Sequence, residues 1–182
     1  MKPFALALLL AMAGPALHAA SVQTQQSIEL KTGGKVQVSY LQYLPEGYAD
    51  DKKKRWPVIL FLHGAGERGN DLNRVKVHGP PKLVEAGKKF PFIIISPQCP
   101  RGQVWQSGTL LALMKHVCKK YRVDTTRQYL TGLSMGGYGS WSLGIRECDR
   151  FAAIAPICGG GNFIKIYNAS GAKGKALRSL GV

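Results

Sequence analysis

The stretch of residues 128–141, QYLTGLSMGGYGSW, constrains the fold of this chain more than any other part of it. A short apolar run at 129–133 leads directly into Gly132-Leu133-Ser134-Met135-Gly136. This G-x-S-x-G spacing is typical of a tight turn between a strand and a helix, which lifts one serine hydroxyl clear of a sheet. Glycines suit such a turn because strand and helix approach closely only where a Cβ is missing. The pattern therefore predicts a strand, a strained turn at Ser134 and a helix after it.

The other apolar patterns predict strands and helices that alternate along the chain. We predict strands at 27–30, 35–44, 58–62, 92–96, 129–133 and 151–157, and helices at 82–89, 110–121 and about 137–147. The first two strands alternate apolar and polar residues across a Lys-Thr-Gly-Gly turn, which is typical of a hairpin. The later runs are continuously apolar, as in strands buried on both faces of a parallel sheet. We expect an α/β fold with an open, mostly parallel sheet and an N-terminal antiparallel hairpin.

Composition allows one globular domain and leaves the meaning of a strong positive charge open. The 182 residues suffice for one domain, and the apolar fraction of 45% is ordinary. The net charge of +15, from 25 Lys and Arg against 10 Asp and Glu, could attract nucleic acid or an anionic surface. No nucleic-acid-binding motif accompanies the charge, so we interpret it as a basic solvated surface and expect no nucleic-acid partner.

The N-terminus, residues 1–19, is interpreted as a signal peptide. Lys2 precedes an apolar core at 4–12 that is too short to span a bilayer, and Gly14-Pro15 ends it. Cleavage is expected after Ala19, although Leu17 departs from the small-residue rule at the −3 position, and an uncleaved anchor is the alternative. We therefore expect an exported protein, periplasmic or secreted, and no other stretch that could cross a membrane.

The four cysteines all lie in the part of the chain that would be exported, where disulfides can persist. Four cysteines allow three pairings, and the sequence does not choose among them. Cys118 and Cys148 fall on predicted helices and could pair, whereas Cys99 and Cys158 end predicted strands and are interpreted as buried thiols. Their spacing matches no zinc pattern, so no metal is expected.

Two glycine-rich loops follow the ends of predicted buried strands, HGAGERG at 63–69 and GLSMGG at 132–137. In open parallel sheets, functional sites lie at these carboxyl ends. Ser134 is the candidate nucleophile, and the backbone amides of Ala65 and Met135 are candidates for binding the oxyanion of an acyl-transfer intermediate. Gly66 is interpreted as a neighbour that shapes the first loop.

From about Val36 to Gly161 the chain resembles the α/β-hydrolase superfamily, and within it secreted carboxylesterase, phospholipase-type and "predicted peptidase" members. The matching blocks are YLPEGY (43–48), ILFLHGAGERG (59–69), FIIISPQCP (92–100), YLTGLSMGGYGSW (129–141) and FAAIAPICGGG (151–161). The resemblance implies hydrolysis of small-molecule carboxylic esters through an acyl-serine intermediate, without a cofactor. Trp105 and Tyr138, with Gly66, are candidates for lining the substrate pocket, and core packing is the alternative for the two aromatics.

The resemblance fails where the family places its catalytic acid and base. The family triad runs Ser, then Asp or Glu, then His. Here Glu147 and Asp149 are the only acids after Ser134, and no histidine follows it. His63 belongs to the first loop, where a structural hydrogen-bonding role is expected. Because a serine hydroxyl without a base is a poor nucleophile, we predict an impaired enzyme.

The tail at 162–182 is rich in Lys, Gly and Ser and contains no acid. We therefore interpret residues 20–161 as a C-terminally incomplete hydrolase core, followed by a divergent basic tail produced by truncation or a frameshift near Asn162. A natural short terminus is the alternative. A peptidase of the prolyl-oligopeptidase type and a catalytically silent ligand-binding protein remain alternative functions. The substrate and the oligomeric state are open.

Overall fold

The computed structural model describes residues 23–162 and residue 164. Six strands are described: β1 (Gln23–Lys31), β2 (Lys35–Tyr43), β3 (Trp56–Leu62), β4 (Ile93–Pro97), β5 (Val123–Leu133) and β6 (Ala153–Ile157). Three α-helices accompany them: α1 (Gly79–Glu85), α2 (Ser107–Lys120) and α3 (Met135–Arg146). Two 3₁₀ helices, Ala65–Glu67 and Leu72–Val77, lie between β3 and α1.

The strands form one mixed sheet in the order β1-β2-β4-β3-β5-β6. β1 and β2 form an antiparallel hairpin, and β2 pairs antiparallel with β4. The remaining pairs, β4 with β3, β3 with β5 and β5 with β6, are parallel. The prediction of a mostly parallel α/β sheet with an N-terminal hairpin is therefore confirmed. The parallel strands end at one edge of the sheet, so the loops after Leu62, Pro97, Leu133 and Ile157 meet there.

The sheet is covered on both faces, which explains its continuously apolar strands. Leu60 and Leu62 of β3 belong to the main core cluster with Leu113 of α2, and α3 packs on β3, β5 and β6. Alternate side chains of the strands point to the other face of the sheet, where Ile94 of β4 packs with Val84 of α1. Because successive side chains of a strand point to opposite faces, a strand covered on both sides needs apolar residues at every position.

Element boundaries differ from the predictions where tertiary contacts or prolines decide them. The helix predicted at 82–89 begins earlier, at Gly79, because Pro80 and Pro81 occupy its first turn, where proline is favoured. β5 begins at Val123 instead of residue 129, because Val123 pairs with Trp56 across a register shift in β3. Residues 124–128 of this strand are polar, so periodicity did not indicate a strand there.

The cysteines are not joined by a disulfide in the described residues, which include all four of them. Cys99 is buried as predicted, and burial raises the pKa of its thiol. The interpretation of Cys158 as a buried thiol is wrong, because Cys158 lies beyond the end of β6 and is exposed. Cys148 lies in the turn after α3 and not on a helix. The thiol of Cys118 donates to Gln128 Oε1 at 3.5 Å.

Two predicted segments cannot be compared with this fold. The signal peptide predicted at 1–19 lies outside the described residues, and so does the tail apart from residues 162 and 164. Among the helices that are described, none has the length and apolar character needed to cross a bilayer.

Candidate active site

Ser134 is the single residue between β5 and α3, and its backbone conformation is strained. Its φ is 51° and its ψ is −113°, a region that residues with a Cβ rarely adopt. Backbone hydrogen bonds hold it on both sides: its N–H donates to Ile157 O at 2.9 Å, and its carbonyl accepts from Tyr138 N–H at 3.0 Å. The side chain of Ser134 is exposed. The strained turn predicted from the sequence is thus present and presents its hydroxyl to solvent.

The glycines around Ser134 allow backbones to approach closer than a Cβ would permit. A Cβ on Gly136 would collide with the carbonyl group of Leu62 and lie 2.8 Å from His63 O. A Cβ on Gly132 would collide with the carbonyl group of Gly136, and one on Gly137 would lie 2.5 Å from Ile157 O. These contacts are with backbone atoms, which cannot swing away as a flexible side chain can. The G-x-S-x-G-G spacing is therefore a packing requirement of this strand–turn–helix unit.

The first glycine-rich loop lies beside this turn. A Cβ built on Gly64 would be 3.8 Å from Ser134 Cβ and 3.6 Å from Leu133 O. Ala65, which begins the 3₁₀ helix after Gly64, is exposed, and so is Gly66. Met135, on the other side of Ser134, opens α3, where the first backbone N–H groups have no acceptor within the helix. Both loops predicted to carry the site therefore meet at Ser134.

His63 is buried beneath the first loop and is fully engaged in hydrogen bonds. Its Nε2 accepts from Cys99 N–H at 2.9 Å, so the proton of the neutral ring lies on Nδ1, which donates to Gly64 O at 2.6 Å. Burial lowers the pKa of His63, an effect that its hydrogen bond to Gly64 opposes. The ring therefore orients the loop backbone, in line with the structural role expected for it.

Trp105 connects this histidine to an open groove at Ser134. Its indole N–H donates to His63 O at 3.1 Å, and its ring meets that of His63 edge to face at a centroid distance of 4.8 Å. Gly139 of α3 leaves room for the indole, because a Cβ there would lie 2.9 Å from Trp105 Cβ. A tryptophan held in this way forms a fixed wall.

The groove has a volume of about 420 Å³ and contains Ser134. It is lined by Val104, Trp105, Ser134, Met135, Tyr138, Gly139 and Ser142. The structure thus brings Trp105 and Tyr138, both candidates from the sequence, into one cavity with Ser134. Gly66 is not among the lining residues, so the structure gives no support to its candidacy for the pocket. Val104 and Tyr138 are more than half exposed, at 56% and 57%.

The carbonyls of the first 3₁₀ helix are held by side chains that sequence reasoning missed. A 3₁₀ helix of three residues closes only the few i→i+3 backbone hydrogen bonds that define it, so further hydrogen bonds to its carbonyl groups come from side chains. Each accepts a side-chain N–H: Ala65 O from Arg68 Nε at 3.0 Å, Gly66 O from Arg74 Nη2 at 2.6 Å, and Glu67 O from Gln98 Nε2 at 2.8 Å. Arg68 lies within the HGAGERG motif, but no sequence signal identifies its acceptor.

No catalytic base contacts Ser134 in the described part of the chain. The imidazole of His63 is occupied as described above, and His78 Nε2 lies 3.6 Å from Glu67 Oε1. His116 lies on α2, where burial and then Lys120 and Lys119 lower its pKa. Within residues 23–162 and 164, no three His, Cys, Asp or Glu side chains form a group that could hold a metal ion.

No family model matches the chain. Among curated proteins, it is 27% identical to "Probable feruloyl esterase C" of Aspergillus terreus over 126 residues, which cover 66% of this chain and 46% of that protein. It is 28% identical to a bifunctional acetylxylan esterase/xylanase of Neocallimastix patriciarum over 138 residues, or 72% of this chain and 19% of the relative. The matched region thus spans less than half the length of either relative.

Solved structures show the same fold. A thermostable esterase matches with a TM-score of 0.65 and 29% identity, over 87% of this chain and 44% of that one. A ferulic acid esterase also has a TM-score of 0.65, at 21% identity, over 87% of this chain and 76% of the other. The described chain has the α/β-hydrolase fold, which it shares with these esterases.

Proposed function

We propose that this chain of the α/β-hydrolase fold acts on carboxylic esters through Ser134, which forms an acyl-serine intermediate. The observation that carries the proposal is the exposed Ser134 in its strained turn, beside a glycine-rich loop and in the lining of an open groove. A strained backbone persists only where surrounding structure enforces it, and such strain clusters at functional sites. Here Gly132 and Gly136 permit the close contacts that enforce it.

We assign oxyanion binding to the backbone amides of Ala65 and Met135. The hydrogen bond from His63 Nδ1 to Gly64 O fixes the peptide between Gly64 and Ala65. Because the N–H and C=O of a trans peptide point in opposite directions, the Ala65 N–H is directed away from the ring of His63. The Met135 N–H adds the positive end of α3, which favours a developing negative charge.

The residues that line the groove favour a substrate ester with an aromatic group. Trp105 and Tyr138 offer apolar rings that can pack against an aromatic acyl or alcohol group. The relatives and structural neighbours include proteins named feruloyl esterases. We therefore infer small aromatic esters, of which feruloyl esters are the first to test, as the substrate class.

We infer that turnover is slow in the chain of 182 residues. In the sequence no histidine follows Ser134, and none of the described histidines hydrogen-bonds it. Without a base, an oxyanion hole and substrate binding can still accelerate a reaction by about 10³ to 10⁴ over water. Weak but measurable hydrolysis is therefore the expected behaviour. Export through residues 1–19 is also part of the proposal. It rests on the sequence pattern alone, because these residues lie outside the described part of the chain.

Labelling with a fluorophosphonate, followed by peptide mass spectrometry, tests the role of Ser134. We expect covalent labelling at Ser134 and hydrolysis of methyl ferulate above the level of the Ser134→Ala variant. Ser142→Ala, which removes a second serine from the same groove, is the matched control and should retain the label. A chain that binds methyl ferulate equally well with and without Ser134, and takes no label, would instead be a ligand-binding protein.

A further inference from the structure

Arg68 connects the first glycine-rich loop to the wall of the groove. Its Nε donates to Ala65 O at 3.0 Å, and its Nη1 donates to Gln103 O at 3.1 Å. Gln103 immediately precedes Val104 and Trp105, which form the groove wall. The guanidinium group is therefore held by backbone carbonyls on two sides, between the loop that carries Ala65 and the segment that leads into the aromatic wall, although Arg68 itself is not among the residues that line the groove.

No carboxylate neutralises this guanidinium in the described part of the chain. The ion pairs of residues 23–162 include neither Arg68 nor Arg74. The acid next in sequence, Glu67, directs its carboxylate oxygens elsewhere, to His78 Nε2 at 3.6 Å and His63 Nδ1 at 3.8 Å. Carbonyl groups fix the orientation of Arg68 without cancelling its charge, and the two bonds leave its Nη2 uncommitted.

The charge of Arg68 is felt at buried groups below the loop. Burial is the main cause of the lowered pKa of His63, and the positive charge of Arg68 lowers that pKa further. At Cys99, burial raises the pKa and the same charge opposes the rise.

We propose that Arg68 forms a cationic subsite at the rim of the groove, which binds a carboxylate group carried by the ester substrate. A hydrogen bond from a charged guanidinium to a carboxylate is stronger than one between neutral groups. The uncommitted Nη2 is the donor available for this purpose. The inference rests on the proposed function and deepens it: among the small aromatic esters proposed there, it favours those that also carry a free carboxylate group.

Equilibrium binding tests the subsite without requiring turnover. We would titrate the protein with 4-hydroxybenzoate and with its neutral analogue 4-hydroxybenzamide, and follow the NMR signal of the Trp105 indole N–H. At low ionic strength we expect the carboxylate to bind about threefold to tenfold more tightly than the amide. Raising the salt from about 0.02 M to about 0.5 M should reduce this preference in the unaltered protein, since an exposed charge is screened.

Variants then assign the preference to one residue. Arg68→Gln should remove it, Arg68→Lys should retain part of it, and Lys119→Gln, which removes the same charge from the far end of α2, should leave it intact. Equal binding of the two ligands, or a preference that survives Arg68→Gln, would overturn the proposal. If Arg68→Gln does not fold, a salt-independent preference overturns it equally. Failure of fluorophosphonate labelling at Ser134 would instead count against the proposed function, because binding here does not depend on the nucleophile.

Discussion

At the scale of single residues, the site depends on glycines, which have no Cβ atom. Ser134 keeps its strained φ of 51° because β5 and α3 are packed closely on either side of it. Gly136 has no Cβ, and the carbonyl of Leu62 occupies the place that a Cβ would take. The strain at Ser134 and the close packing around it therefore have the same origin, because each glycine removes a clash that would otherwise push helix and strand apart.

Replacing Gly136 with alanine should destabilise the protein strongly. The added methyl would collide with backbone atoms of Leu62 and His63, and overpacking of this kind costs about 1–3 kcal/mol or more. Urea denaturation should show the loss in the free energy of unfolding. Gly108→Ala is the control, since a Cβ there meets nothing within 4 Å, and it should leave stability equal or slightly higher. Equal stabilities of the two variants would contradict the packing argument.

His63 should make the stability depend on pH in a defined direction. Burial lowers its pKa below the ordinary 6.5, so the unfolded chain binds a proton there more readily than the folded chain does. The free energy of unfolding should therefore fall as the pH decreases below about 6.5, and stay constant above it as far as this residue is concerned.

The difference in unfolding free energy between pH 7.5 and pH 5.5 measures this contribution. His63→Asn should reduce the difference, whatever its effect on stability at neutral pH. His116 contributes with the same sign, because its pKa is also lowered by burial, so His116→Asn should reduce the difference as well. An unchanged difference in His63→Asn would show that protonation of His63 is not linked to folding.

At the scale of elements, α2 is the helix whose role was clearest from its sequence. Its apolar residues recur at helical spacing, and Leu110, Leu113, Met114 and Val117 are all buried against the sheet. The 3₁₀ helix at Ala65–Glu67 is the opposite case. It has no apolar periodicity, and side chains from distant positions satisfy its carbonyl groups. Sequence patterns predict an element when its own residues stabilise it. They miss an element that is stabilised by side chains from elsewhere in the chain.

Leu113→Ala should cost about 2–5 kcal/mol in unfolding free energy, because the side chain is completely buried between α2 and the sheet. Leu111→Ala on the same helix is the matched control, since Leu111 is only partly buried and its loss should cost clearly less. Thermal or urea unfolding measures both. If the two variants lost the same stability, α2 would not pack on the sheet as described.

At the scale of the whole molecule, the layered architecture assembles the candidate site. Four loops from separate parts of the chain meet at one edge because their parallel strands all end there. Ser134 and the wall of Trp105 are thereby brought around one groove, and the loop that carries Ala65 lies beside Ser134. The architecture also allows Arg68 to bridge two of these loops. The residues near Arg68 in the sequence do not indicate the binding role that we propose for it.

The sequence by itself determined the α/β sheet, the turn at Ser134 and the two loops that meet there. These features follow from local chemistry: apolar runs need burial, and the glycines at 132 and 136 permit a close turn. The tertiary structure decided what distant residues do to one another. It assigned the tautomer of His63 through Cys99, placed Trp105 beside Ser134 and left Cys158 exposed. It also gave the loop carbonyls their partners in Arg68, Arg74 and Gln98. Such contacts depend on the folded path of the chain, and neither periodicity nor residue spacing encodes that path.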